Sequence, residues 1–313
     1  MNRALVTGAN GRLGQLLCVE LEKNNFEVFR VVREGSLVSD ANTLAINLFH
    51  RNYNQDPIQD SRLLEFFREI KPDVVFHTAG TIVTNDPLQY YENNILATVQ
   101  LVQVLQKIPS EELPLFVNLS SAAELGRVPE TCDFVTEEFH CKPISEYGVS
   151  KLCQTEIILS ASKRLGFRCI CARIFNVIGL PHSSHMPVQS WVDQLKSMKE
   201  RKVKSPVLQV GNLDVIRDFL DSSELIRILI ELSISTSSEA NGIINVGSGV
   251  GVRLSDVIET LRELWDEDFD VCVDPNRMRT QDIKNIVAST AKLEKVIGRS
   301  VQFNLKSSLK KLL

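Results

Sequence analysis

Tyr147 and Lys151 stand four residues apart in the stretch Ser145-Glu146-Tyr147-Gly148-Val149-Ser150-Lys151. On a helix, residues four apart share a face, so the ammonium is expected beside the phenol. A positive charge there favours the phenolate and lowers the phenol pKa from about 10 toward working pH. That would make Tyr147 a proton donor or acceptor for a carbonyl/alcohol pair. Many exposed helices carry this pair by chance, so its meaning depends on its company. The apolar run Leu115-Phe116-Val117-Asn118-Leu119 reads as a strand that delivers Ser120-Ser121 at its C-terminal end. Ser121 is expected to hold a substrate oxygen beside the phenol. Asn94, on a long helical stretch, is expected to support Lys151 through water.

The chain opens on a second chemical signal, Thr7-Gly8-Ala9-Asn10-Gly11-Arg12-Leu13-Gly14. It follows a strand pattern and opens a helix pattern, the context a dinucleotide fingerprint requires. Glycines admit a pyrophosphate to the backbone, and the helix N-terminus stabilises its charge. The spacing is Gly-x-x-Gly-x-x-Gly rather than Gly-x-Gly-x-x-Gly. Gly8, Asn10, Gly11, Arg12, Leu13 and Gly14 are the candidate cofactor contacts. An acidic residue at the end of the second strand would accept hydrogen bonds from the ribose of NAD. Val32 occupies that place and Arg33 follows. With Arg12, that is a pair of guanidinium groups suited to a 2′-phosphate, which favours NADP(H) over NAD(H). Asn47 and Leu48 are expected to flank the adenine. Ala79 and Gly80, after His77-Thr78, are small enough to let the cofactor lie close to the backbone.

The elements that must position these residues alternate. Strand patterns at Arg3–Thr7, Glu27–Val32, Thr43–Leu48, Pro72–His77, Pro114–Ser120 and Arg168–Phe175 are separated by helix patterns. The helices are expected at Leu13–Lys23, Ser61–Ile70, Tyr90–Lys107 and Glu146–Leu165. Such alternation predicts an α/β fold with a doubly wound parallel sheet. From about Asn176 the rhythm loosens and prolines punctuate loops, which predicts a smaller C-terminal substrate-binding lobe. Residues 1–175 with about 212–247 are expected in the dinucleotide-binding domain, and 176–211 with 248–313 in the lobe.

The 313 residues carry a net charge of -4 at a pI near 5.8, which argues against a nucleic-acid partner. The longest apolar runs are strand-length, so no membrane span is expected. Residues 1–7 already read as a strand, leaving no room for a signal peptide. Seven Cys, an odd number without a Cys-x-x-Cys pair, read as structural thiols in the reducing cytoplasm. Five His without a close His/Cys cluster give no metal pattern.

Taken in order, these motifs resemble the extended short-chain dehydrogenase/reductase family of nucleotide-sugar epimerases, dehydratases and reductases. The matching residues are Thr7 to Gly14, His77 to Gly80, Asn94, Ser121, Tyr147 to Lys151, Arg173-Ile174-Phe175-Asn176 and Arg217-Asp218-Phe219. The resemblance implies a Rossmann-type domain and a Ser121/Tyr147/Lys151 catalytic set. It also implies cofactor contacts that include Asn94, Tyr147, Lys151 and Phe175, and a homodimer built through a four-helix bundle. The segment 210–221 and the stretch Asp274-Pro275-Asn276-Arg277-Met278-Arg279 are similar to the GDP-mannose branch, including its 4-keto-6-deoxymannose reductases. By position, Asn176, Arg217 and Arg279 would contact a pyrophosphate and Asp282 a ribose, with Ser121 and Ala122 against the sugar.

Departures sort the sub-reactions. The dehydratases of this branch carry an acidic residue two positions after the Ser/Thr. Here Ala123 stands there, and Glu124 is expected to point elsewhere along an extended segment. An epimerase/reductase of the branch uses a Cys just after the Ser, with a His. Here Ala122 stands there, although His182 and His185 lie in a loop. Leu125 and Leu180 also depart from the usual residues near the sugar. The expected activity is an NADP(H)-dependent 4-keto reductase, or 4-dehydrogenase, of a GDP-linked deoxy sugar. A C4 epimerase with tightly held NAD and a non-catalytic cofactor-sensing protein are the alternatives.

Overall fold

Ala4 to Thr7 are buried without interruption, which makes β1 (Arg3–Thr7) a strand covered on both faces. The computed structural model describes residues 2–36, 40–48, 58–179, 186–278 and 282–313. After β1 come α1 (Arg12–Lys23), β2 (Glu27–Val32), β3 (Thr43–Ala45), α2 (Ile58–Ile70) and β4 (Val74–His77). A helical stretch then runs through α3 (Leu88–Tyr90), a π turn (Tyr91–Leu96) and α4 (Ala97–Leu105). Next are β5 (Leu115–Ser121), a 3-10 turn (Ala122–Glu124), α5 (Glu146–Leu165) and β6 (Cys169–Ile174). The remaining elements begin with β7 (Asn176–Ile178), α6 (Pro187–Glu200), β8 (Val207–Val210), β9 (Ile216–Asp221), α7 (Ser222–Ile234) and β10 (Gly242–Val246). They end with β11 (Gly251–Arg253), α8 (Leu254–Leu264), β12 (Asp270–Val273), β13 (Asn285–Ile286), α9 (Ala291–Ile297) and α10 (Leu305–Lys310).

A seven-stranded sheet runs in the order β10-β6-β5-β4-β1-β2-β3. β1 pairs in parallel with both β2 and β4, and β4 in parallel with β5. The chain order therefore reverses between β1 and β4. Open α/β sheets bind ligands at such a switch point, beyond the C-terminal strand ends. The Gly loop and His77 leave the sheet at that edge. This is the Rossmann-type arrangement expected from the alternation of elements. The long helix expected over 90–107 is interrupted by the π turn, which carries Asn94.

The chain divides into two compact units. The first comprises 1–126, 141–173 and 226–244, and the second 127–140, 174–225 and 245–313. Leu5, Val75, Leu101, Phe116 and Ile158 sit in the core of the first. Trp191, Leu208, Phe219, Ile258 and Leu309 sit in the core of the second. Each fully buried side chain of this size contributes roughly 1.5–3 kcal/mol. Two stretches fall elsewhere than expected. Residues 212–225 belong to the second unit because β9 pairs with β7, β11 and β13 rather than with the main sheet. Residues 127–140 join the same unit through Val135, which bonds the 287–289 backbone through both its N–H and its carbonyl, each at 2.8 Å. Among the described residues no helix is long and apolar enough to cross a membrane.

Candidate active site

The Gly loop is locked at both ends. Gly8 N donates to the Val31 carbonyl at 3.0 Å, and Gly11 N to the Gly8 carbonyl at 2.8 Å. Gly8 has φ +68°, and a Cβ there would come within 2.6 Å of the Ala79 Cα. No other residue fits this turn, which lays the loop directly against Ala79. The structure thus brings together two segments that the sequence analysis assigned to one cofactor. α1 begins at Arg12 immediately after the loop, so its N-terminus faces the same edge. This cradle fits a dinucleotide pyrophosphate. Arg12 and Arg33 are both exposed. Asn47 Nδ2 donates to Glu34 Oε2 at 3.0 Å, and Leu48 is half-buried beside it in sequence.

Ser121 ends β5 and caps the 3-10 turn that follows. Its hydroxyl accepts from Ala123 N at 3.2 Å, while its own N donates to Glu124 Oε1 at 3.2 Å. Ser145 caps α5 in the same way, accepting from Gly148 N at 3.1 Å. A Cβ on Gly148 would stand 2.4 Å from the Ala123 carbonyl oxygen. Glycine therefore lets the first turn of α5 press onto the turn after Ser121. That contact brings Tyr147 up to Ser121. The Tyr90 ring packs against the Tyr147 ring at 6.0 Å between centroids.

The electrostatics correct one expectation. Burial pushes the Tyr147 phenol up to about 12, and the Ser121 hydroxyl beside it offsets only part of that. The phenol is thus held protonated rather than poised as a phenolate. Lys151 Nζ is turned to Gln154 Oε1, to which it donates. Burial brings Lys151 down to about 8, with the Glu124 carboxylate opposing the change. Asn94 is buried on the π turn and bonds to protein on two sides. Its Nδ2 donates to Ser150 Oγ at 2.8 Å, and its Oδ1 accepts from Thr81 N at 2.8 Å. Ser150 Oγ donates in turn to the Tyr147 carbonyl at 2.8 Å, so Asn94 braces the turn that carries both Tyr147 and Lys151.

Glu124 is the residue that sequence reasoning placed wrongly. The segment after Ser121 is a turn, not extended, and Glu124 is wholly buried. Its Oε1 accepts from Ser121 N and from the Thr155 hydroxyl at 3.0 Å, and its Oε2 stands 3.5 Å from the Arg173 Nε as an ion pair. Burial raises its pKa and the Arg173 charge lowers it. The signal was available, since Ser121-Ala122-Ala123-Glu124 is a capping-box pattern. Gln154 was also missed; it lies on the Lys151 face of α5, three residues on.

In the second unit, a cleft of about 330 Å³ is lined by Asn176, Trp191, Arg217, Arg277 and Asp282, among others. Arg217 Nη2 pairs with Asp282 Oδ1 at 2.9 Å, and its Nη1 donates to the Ile283 carbonyl at 2.7 Å. Asn176 Nδ2 donates to the Asp218 carbonyl at 2.8 Å. Three of the predicted substrate residues are therefore gathered there. Arg277 joins them without having been predicted. Phe175 is buried in the same unit. Ala122 lies in the 3-10 turn of the first unit. Arg279, Leu180, His182 and His185 lie outside the described residues.

Residues 4–247 match the model of the NAD dependent epimerase/dehydratase family. The chain is 29% identical over 265 residues to a GDP-6-deoxy-D-mannose reductase of Pseudomonas aeruginosa, covering 83% of this chain and 85% of that one. It is 28% identical over 305 residues to a GDP-6-deoxy-D-talose 4-dehydrogenase of Aggregatibacter actinomycetemcomitans, covering 96% and 93%. A solved structure of RMD from Pseudomonas aeruginosa complexed with NADPH superposes with a TM-score of 0.78 at 25% identity, covering 100% of this chain and 98% of that one. With the Gly cradle, the switch-point sheet and the Ser121–Tyr147 contact, these matches are decisive: the chain belongs to the NAD dependent epimerase/dehydratase family and is an NAD(P)-dependent enzyme.

Proposed function

We propose that this enzyme is an NADP(H)-dependent 4-keto reductase of a GDP-linked 6-deoxy sugar. The observation that carries the reading is the Tyr147 phenol. It is half-buried beside Ser121, its pKa is pushed up so that it keeps its proton, and Lys151 stands one helical turn along. A protonated phenol is the form that delivers a proton to an oxygen gaining charge. NADPH, when bound, supplies the hydride. Ser121 then orients the carbonyl, Tyr147 gives its proton to the C4 oxygen, and the ketone becomes an alcohol. Lys151 holds the cofactor ribose, and its positive charge balances the phenolate left on Tyr147 until a proton from solvent restores the phenol. The cleft of the second unit takes the nucleotide, with Arg217 and Arg277 supplying cations for the pyrophosphate and Asp282 a ribose acceptor. The names of two relatives, a reductase and a 4-dehydrogenase of GDP-6-deoxyhexoses, support the GDP sugar and the C4 position.

The test is nicotinamide absorbance with purified protein, NADPH and freshly made GDP-4-keto-6-deoxymannose. Stoichiometric NADPH loss with a new GDP-deoxyhexose is expected. Tyr147→Phe should remove at least roughly a hundredfold of kcat. Absence of NADPH loss overturns the reading, and C4 inversion of a GDP- or UDP-sugar without net cofactor turnover would identify an epimerase instead.

A further inference from the structure

A buried chain of hydrogen bonds leads from Lys151 into the centre of the sheet. Lys151 Nζ donates to Gln154 Oε1. Gln154 Nε2 donates to Thr98 Oγ1 at 2.9 Å. The same oxygen lies 2.9 Å from His77 Nε2, and His77 Nδ1 lies 2.7 Å from Thr7 Oγ1. Thr98 Oγ1 also donates to the Asn94 carbonyl at 2.7 Å. Thr7, His77, Thr98, Lys151 and Gln154 are all buried, none more than 6% exposed.

Donor counting orders this network. An ammonium has protons only to give, so Gln154 must turn its oxygen to Lys151 and its NH2 to Thr98. Two oxygens at 2.7 Å repel unless a proton lies between them, so the single Thr98 proton sits on the line to the Asn94 carbonyl. Thr98 therefore accepts from His77 as well as from Gln154. The His77 ring carries its proton on Nε2 and accepts from the Thr7 hydroxyl on Nδ1. Burial and the nearby Lys151 charge lower the His77 pKa to about 3, in keeping with a neutral ring. Two chains, one from Lys151 and one from Thr7, converge on Thr98 and drain into one carbonyl of the π turn.

We propose that Gln154 is a positioning residue for Lys151, its amide locked by Thr98 and an Nε2-protonated His77. The proposal rests on the role assigned to Lys151 above. The locked amide oxygen favours the ammonium form and fixes where Lys151 points. The other groups that face Lys151 are Glu124 from the turn after β5, Cys171 from β6 and His77 from β4.

The experiment has two parts on the full chain. In the first, kcat and KM are followed against pH for wild type, Gln154→Leu and Gln154→Glu, with thermal midpoints to confirm folding. Gln154→Leu should lower kcat roughly tenfold or more with little change in sugar KM, and move the alkaline limb down by about one pH unit. Gln154→Glu restores an acceptor and should return the limb to the wild-type position or above it. A purely structural role would reduce the active fraction without moving the limb, and an unmoved limb in Gln154→Leu overturns the proposal. In the second, 15N-histidine NMR of the wild type should show His77, one of five histidines, with protonated Nε2 and bare Nδ1 from about pH 5 to 9. An Nδ1–H tautomer overturns the network. This readout needs no turnover, so it stands apart from the fate of the reductase assignment.

Discussion

The Glu124 carboxylate and the Arg173 guanidinium meet at 3.5 Å with side chains 0% and 1% exposed, directly behind the backbone of Ser121. Water cannot screen either charge, so each depends on the other. Glu124→Gln keeps the shape but leaves the Arg173 charge uncompensated. It should cost about 3 kcal/mol in urea denaturation. Pairing it with Arg173→Met should recover much of that loss, and a double-mutant cycle measures the coupling. Strict additivity of the two changes would refute the pairing.

The pH dependence of turnover follows from the two shifted groups. Lys151 is charged below its value of about 8 and neutral above it, whereas Tyr147 keeps its proton to about 12. The kcat/KM for carbonyl reduction should therefore fall above about pH 8, well before the phenol ionises. Lys151→Arg stays protonated throughout. It should lose activity at pH 7 and also lose this alkaline limb, which a rate profile from pH 6 to 10 would reveal.

Lys151 is also expected to cost stability. Its folded value is depressed from 10.5 to about 8, so the cost of burying its charge is absent above 10.5, grows as pH falls and is fully present below about 8. Lys151→Met removes that burden. It should raise stability at pH 7 by about 1–2 kcal/mol while abolishing turnover, and the gain should fade toward pH 10. Denaturation curves at the two pH values check the sign.

Asp218 gives a prediction for the second unit. Its Oδ1 accepts from Ser248 N and Oγ, both at 2.7 Å, and its Oδ2 from Gly249 N and Ala288 N, both at 3.0 Å. Only an ionised carboxylate supplies acceptors on both sides. Asp218→Asn sets an NH2 against donors and should cost about 3 kcal/mol, with a lower Tm and little effect on cofactor binding. A Tm within one degree or so of wild type would contradict this account.

Much of this was legible in the sequence because short-range patterns carry it. The Gly loop, the four-residue spacing of Tyr147 and Lys151, and the buried run before Ser121 are local. The strands and helices around them fall within a few residues of expectation. What escaped depends on contacts between distant residues. The burial of Glu124 needs Arg173 from β6 and Thr155 from α5. The raised Tyr147 value needs the surrounding packing, which spacing alone does not report. The π turn rests on Asn94 reaching Ser150, fifty-six positions away. The second unit was blurred because β7, β9, β11 and β13 are only two to six residues long.

The three-piece composition of each unit has a consequence for biosynthesis. Residues 1–126 contain β1 to β5 of the main sheet, but β6 and β10 come only at 169–174 and 242–246. While the ribosome makes the intervening segments, β5 presents an unpaired apolar edge. First the edge of β5 waits for β6, and then the edge of β6 waits for β10, so an edge stays open through more than a hundred residues of synthesis, or roughly ten seconds. The nascent chain is thus exposed to edge-to-edge association during a window that the finished enzyme never revisits.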